Sequence, residues 1–373
     1  MDLLYKPDWS AAKSRMEAFW KSESIGRPFV LVTARTGKAK SMPYTAGTLR
    51  DKILNYDYRL QDEEEWIKTT YYGGEAVPCV WPDFGPDFTS ACIGGDLEIA
   101  DRPPDAWLMG AVWAKHTLND WEKDLTGIGF NPESIWFKHG LEYTELAVQR
   151  GKGKYLVESL DIDGGMDTAA GLRGAERLCM DIFDCPENVG CLLDKIREGN
   201  KQVLNRLYEA VKDSQGGMVN TYKIYAPGKS YNMRSDFSFM LHPDLFREFV
   251  LPYMIKESEI SDYTIFHTHI EDIEKNPVNR LKYLDVILDI PRIHAVEWSF
   301  WDSWSEERLT GLKRILERGK LAVMWTTPEY ALELTKQLGK IERNRVLYIV
   351  DFGHVKEAEE FLLKLERNNV DHD

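Results

Sequence analysis

Eight short runs rich in Val, Ile, Tyr, Phe or Trp alternate with segments of helical periodicity, and this alternation constrains the fold more than any other feature. The runs are 27–33, 77–81, 155–160, 217–222, 263–267, 295–300, 321–325 and 346–351. Helical segments are expected at 186–212, 243–257, 305–318, 328–338 and 355–367. The spacing of Val189, Leu192, Leu193 and Ile196 is the apolar stripe of an amphipathic helix. Pro186 and Pro328 suit the first turn of a helix, where a missing N–H costs little. Asp184 and Thr327 are expected as the N-caps before them. The pattern predicts a (β/α)8 TIM barrel forming one domain over residues 1–373. A doubly wound open sheet fits less well, because no glycine fingerprint follows the first run. Two additions are expected. One is an N-terminal helix over 9–23. The other is a long insertion between strands two and three, about 84–153, carrying Trp107, Trp113, Trp121 and Trp136 and able to act as a lid.

An apolar fraction of 43% is enough for a sizeable core. No apolar run is long enough to span a membrane, and the first ten residues lack a basic segment followed by an apolar one, so no secretory signal is expected. Five scattered cysteines without a CxxC spacing fit reduced thiols in a cytoplasmic protein. The net charge of −14 disfavours a nucleic-acid partner and leaves a small molecule or another protein.

In such barrels the reactive groups gather at the C-terminal ends of the strands. Here those ends carry Thr33 and Arg35, Trp81 and Asp83, Asp161 and Asp163, Tyr222 and Tyr225, His267 and His269, Glu297 and Asp302, Trp325 and Thr326, and Asp351 and His354. His267 and His269 are two residues apart, so on a strand both imidazoles aim to one face. Such a pair suits a divalent metal, with His354, Asp351 or Glu297 as third ligand. Without metal the same groups form an acid/base cluster. Asp83, Tyr222 and Asp236 are candidates for contact with the reacting substrate, and Trp81, Arg35, Trp298 and Trp325 for its binding. The bland alternatives are strand-end capping for Asp351 and His354, a Pro/Gly-rich turn for Asp83, core packing for the tryptophans and a solvated loop pair for Arg234 and Asp236.

At these residues the chain resembles the uroporphyrinogen decarboxylase superfamily, which includes corrinoid-linked methyltransferases. The resemblance runs from about residue 27 to the end. Segment 164–174 is similar to the family's glycine-rich stretch after the third strand. Segment 236–252 is similar to its aspartate and following helix start, 267–298 to its histidine strand, and Phe352-Gly-His354 to its late glycine-histidine. The decarboxylases carry an arginine-rich N-terminal segment, for which only Arg35 stands here, and a central aspartate, to which Asp83 is similar. The methyltransferases hold zinc through a His-x-Cys pair and a distant cysteine. Here the second position is His269 and no cysteine follows Cys191, which leaves His/His/carboxylate or His/His/His. Harder nitrogen and oxygen ligands suit an oxygen-bearing substrate.

The resemblance thus implies a zinc-dependent methyltransferase that passes a methyl group from a small O-methyl compound, with an aromatic one suggested by the tryptophans, to a corrinoid supplied in trans by a partner protein. The metal would sit on His267, His269 and His354. Three rivals remain. A metal-independent decarboxylase or lyase of a small ring acid would use Arg35, Arg173 or Arg234 as its cationic clamp. A metal-dependent hydrolase would carry the His-x-His pair on strand one rather than strand five. A catalytically inactive ligand-binding barrel is the non-enzyme reading.

Overall fold

The computed structural model describes residues 2–38, 40, 43–45, 47–102, 112–268, 277–300 and 304–370. Among them are thirteen strands: β1 (Phe29–Arg35), β2 (Thr70–Gly74), β3 (Cys79–Val80), β4 (Leu97–Ile99), β5 (Val112–Ala114), β6 (Leu156–Val157), β7 (Met218–Val219), β8 (Tyr225–Ala226), β9 (Ser230–Met233), β10 (Tyr263–Phe266), β11 (Ala295–Glu297), β12 (Leu321–Trp325) and β13 (Val346–Phe352). Seven of them form the central sheet in the order β2-β1-β13-β12-β11-β10-β9. Every pairing in it is parallel except β1 with β2. The fold is mixed α/β around a mostly parallel sheet.

Successive strand residues point to opposite faces, and the packing follows that period of two. Phe29, Leu31, Ile265, Ala295, Leu321, Val323 and Leu347 join one core with Trp9, Ala12, Met16 and Phe19 of the N-terminal helix Trp9–Trp20. Their neighbours Val30, Val32, Phe266, Val296, Ala322, Met324, Val346, Tyr348 and Val350 join the other core, shared with the flanking helices. A sheet buried on both faces reads as continuous apolar runs, which is why these strands were legible. Cys79, Leu156 and Val219, from strands outside the seven-stranded ladder, belong to the first core as well.

The continuous closed barrel expected from the sequence is not formed by backbone ladders. β3 pairs with β6, and β7 pairs with β8 antiparallel. A single bridge, Glu158 with Val219, joins these two units. Between them and β9, side chains stand where a ladder would: Asn232 Nδ2 donates to Thr221 Oγ1 at 2.7 Å and Asn220 Nδ2 to Ser230 Oγ at 3.2 Å. The fourth expected strand, 217–222, is therefore mostly turn. The strand beside β10 is β9, in register Tyr263 with Ser230. Its sequence, Ser-Tyr-Asn-Met, has no β-branched residue, so composition gave no signal for it.

Helices fall close to their expected places, at Pro186–Gln215, Glu306–Glu317, Pro328–Gln337 and Val355–Val370. Thr327 caps the third of these, accepting from Tyr330 N at 3.2 Å. Asp184 is not a cap: it closes the preceding helix, Ala175–Asp184, and Cys185 holds the N-cap position. The expected helix over 243–257 is interrupted by a π-turn, Phe246–Val250, just before Pro252, whose ring nitrogen cannot donate to the regular ladder.

The insertion is more ordered than expected. Its helix Ile135–Gly151 buries Trp136, Phe137 and Tyr143, and the Trp136 indole donates to Asp96 at 2.8 Å. β4 and β5 form a hairpin within it. Trp107 lies outside the described residues. Among the described residues no helix is long and apolar enough to cross a membrane.

Candidate functional site

β10 ends at Phe266, and His267 follows with its N–H bonded to Met233 O at 2.8 Å, which holds the backbone against β9. Its ring Nδ1 lies 2.7 Å from the Tyr222 hydroxyl and 3.2 Å from Glu297 Oε2. Glu297, at the end of β11, is buried. It accepts from Thr268 N at 3.2 Å and from the Ser299 hydroxyl, so its carboxylate is pinned. A carboxylate behind an imidazole fixes the ring's orientation and tautomer.

Tyr222 is held by a turn built on Asn220, whose side-chain oxygen accepts from Tyr222 N at 3.0 Å and Ile224 N at 3.2 Å. Lys223 sits in this turn at φ +60°, a left-handed conformation uncommon for lysine. The Tyr222 ring meets Trp325 edge-on at 4.7 Å. Burial, then the Glu297 charge, pushes its phenol far up, so it keeps its proton.

The Tyr222–His267 contact divides the mouth of the fold. On one side is a chamber of about 630 Å³ where Arg35, Tyr222, Lys223, Trp325 and Asp351 meet. Arg35 stacks on Trp66 at 3.8 Å and donates to Thr70 at 2.9 Å, and Asp351 accepts from the Thr33 hydroxyl. On the other side is a cleft of about 740 Å³ reached by Trp81, Asp83, Asp236 and His267, with Trp113 and His116 of the insertion on its wall. The insertion thus lines the cleft.

Arg234 lies in this cleft at the end of β9. It pairs with Asp161 at 2.9 Å and with Asp163 through Nε at 3.0 Å, and its head group is mostly buried. The solvated loop pair expected for it is corrected: a strand not recognised in the sequence delivers it to two aspartates after β6. The backbone N–H of Asp236 donates to Asp167 at 3.0 Å. Asp83 is buried, accepts from Gly85 N at 2.7 Å, and has its carboxyl raised chiefly by burial.

Several expected site residues fall elsewhere. Trp298 is a core residue, 1% exposed, with its indole donating to Arg308 O at 2.8 Å and lying over Gly311. The next residue on a strand faces opposite to Glu297, which sends it outward to the helix layer. His354 is exposed at the start of the last helix and lines neither cavity. His269 and Asp302 lie outside the described residues. Of the three candidates for a third ligand, Glu297 lies against His267, on its Nδ1 side. Among the described residues no three His, Cys, Asp or Glu side chains form a metal-holding group. Arg173 is committed to Asp181 at 2.6 Å.

No family model matches the chain, and no curated protein matches it. Among solved structures it is similar to a methyltransferase from Methanosarcina mazei, with a TM-score of 0.59 and 13% identity, over 95% of this chain and 98% of that one. At that identity the likeness speaks for the fold.

Proposed function

We propose that the protein is a methyltransferase whose centre is His267. The observation that carries the reading is the imidazole held from behind by Glu297 and Tyr222 at the wall of a deep cleft. The fold it shares with a methyltransferase supports it.

The donor set fits a metal in one respect: an imidazole whose Nδ1 faces a pinned carboxylate is the arrangement that prepares Nε2 for ligation. His267 and His269 would hold zinc, with Glu297 orienting the first of them. Zinc there would polarise the heteroatom bearing the methyl group. The chain's own residues set the rest. Tyr222, as a protonated phenol, and Glu297 fix the ring plane of His267. Trp81 and Asp83 shape the cleft beside it, and Trp325 backs Tyr222 from the chamber.

The donor proposed is a small O-methyl compound, and the acceptor a corrinoid carried by a separate protein in the cytoplasm. A reduced corrinoid would supply the electron pair that takes up the methyl group, while the heteroatom would keep the pair of the bond that is broken. A second reading draws on the Tyr222–His267–Glu297 cluster itself, which without metal would serve as an acid/base group and would suit a decarboxylase or lyase. That reading lacks a ready clamp for a substrate carboxylate in the cleft, because Arg234 is engaged by Asp161 and Asp163.

The test is methylation of free cob(I)alamin, followed by its absorbance, with a panel of methyl donors. The reading expects turnover that His267→Ala abolishes. No turnover with any donor, together with decarboxylation of a ring acid, would replace it by the second reading.

A further inference from the structure

The chamber on the far side of the Tyr222–His267 contact holds two cations, Arg35 and Lys223, beside the acids Glu63 and Asp351 and the rings of Trp66, Tyr72 and Trp325. Among the described residues no hydrogen bond or ion pair holds the Lys223 ammonium, and the charge of Glu158 acts on it from beyond ion-pairing distance. Arg35 gives one N–H to Thr70 and stacks on Trp66, and among the described residues no carboxylate pairs with it. Both cations pull down the Tyr72 phenol, which burial first pushes up, so both lie within electrostatic reach of one hydroxyl. The acids are differently placed. Glu63 accepts from Trp81 N at 2.7 Å and from Tyr143 at 3.3 Å, and Asp351 accepts from the Thr33 hydroxyl. The charges balance by count, but both acids already accept hydrogen bonds, while the cations keep most of their N–H groups unused.

We propose that this chamber binds a phosphate monoester carried on a small planar body, with the phosphate held by Lys223 and Arg35 and the body by Trp66 and Trp325. A phosphate offers three terminal oxygens, which lysine meets as a compact charge and arginine as a fork. A carboxylate has two oxygens and leaves more of these N–H groups unanswered. The indoles cover a planar body, and Leu31, Ala76 and Val77 give the chamber an apolar wall. Two further observations favour the assignment. Lys223 is held at φ +60°, and such strain gathers at ligand clamps. The chain that leaves the chamber at Arg35 also carries Lys38, Lys40 and Arg50 before its next acid, Asp51, in a protein of net charge −14.

The neighbouring carboxyls agree. Burial raises Glu63 to about 7, and it also raises Glu158, which accepts from the Cys79 thiol at 3.0 Å. Carboxyls raised in this way oppose a bound anion less than ordinary ones do. The inference goes beyond the methyltransferase reading and does not rest on it. The two cavities are separate: Tyr222 lines the chamber and His267 the cleft.

The experiment is calorimetric titration of the full chain with phenyl phosphate, inorganic phosphate, benzoate and phenol. The proposal expects saturable binding of phenyl phosphate, with each of the other three weaker by about tenfold or more. Arg35→Gln and Lys223→Met should each weaken phenyl phosphate by about ten- to a hundredfold, the loss of a charge-assisted hydrogen bond. Lys223 offsets the charge of buried Glu158, so its replacement can also disturb folding. Arg35 stands at the exposed end of β1, and Arg35→Gln with an unchanged melting temperature is the deciding variant. No binding of phenyl phosphate, benzoate or inorganic phosphate bound as tightly, or an unchanged affinity in Arg35→Gln would each overturn the proposal. Neither metal nor methyl donor is present in this measurement, so failure of the phosphate site and failure of the methyltransferase reading are told apart.

Discussion

The hydroxyl of Tyr222 lies 2.7 Å from Nδ1 of His267, although 45 residues separate them in the chain. The same nitrogen is 3.2 Å from Glu297. A turn and the end of a neighbouring strand thus converge on one ring atom at the end of β10.

Tyr222→Phe removes that hydroxyl and keeps the ring against Trp325. Loss of a partner behind a working histidine typically costs ten- to a hundredfold. We expect a fall of about that size in kcat/KM for cob(I)alamin methylation, with the melting temperature nearly unchanged. Full activity would separate Tyr222 from the site.

Glu297→Gln should act through orientation as well. The amide can still accept from Thr268 but cannot carry the charge that favours an Nδ1–H on His267. Zinc affinity measured by competition with a chelator should fall by roughly ten- to a hundredfold. Unaltered affinity would show that the carboxylate does not orient the ring.

Gly311 tests the core beneath Trp298. A Cβ built there would lie 2.0 Å from the indole, within a helix whose backbone cannot easily retreat. Gly311→Ala should destabilise by about 1–3 kcal/mol, the usual cost of overpacking, seen as a lower urea midpoint. A midpoint at or above that of the parent chain would contradict the packing described.

Glu257 gives a stability prediction with a sign. It is 4% exposed, accepts from Tyr231 at 2.6 Å, and is pushed up to about 7 by burial. A carboxyl raised on folding contributes stability that is fully present below its unfolded value near 4.5 and is lost as pH rises through about 7. The change is worth roughly 3 kcal/mol at most, at 1.36 kcal/mol per unit. Glu257→Gln should therefore flatten the fall in stability between about pH 5 and 8. An unchanged slope in chemical denaturation would reject the assignment.

Much of the fold was legible because it depends on apolar periodicity. The strand Leu321–Trp325 is found as expected, and the long helix from Pro186 ends three residues beyond its expected end. β9 was not legible, since its residues are polar or unbranched and its place is set by pairing with β10. That omission hid Arg234 as well, because a residue at a strand end looks like a loop residue when the strand is missed. His267, singled out by the His-x-His spacing, lies on the cleft wall. Its partner Tyr222 was named as a candidate, but the contact between them is tertiary and has no sequence signal. Trp298 was misplaced to the cleft because strand alternation was not carried one residue past Glu297.

The central claim, that His267 anchors a metal for methyl transfer, is tested most directly by elemental analysis of chain purified without chelator or affinity metal. The account predicts about one zinc per chain, lost in His267→Ala while the fold is kept. Equal zinc in both proteins, or none in either after incubation with zinc, would contradict it.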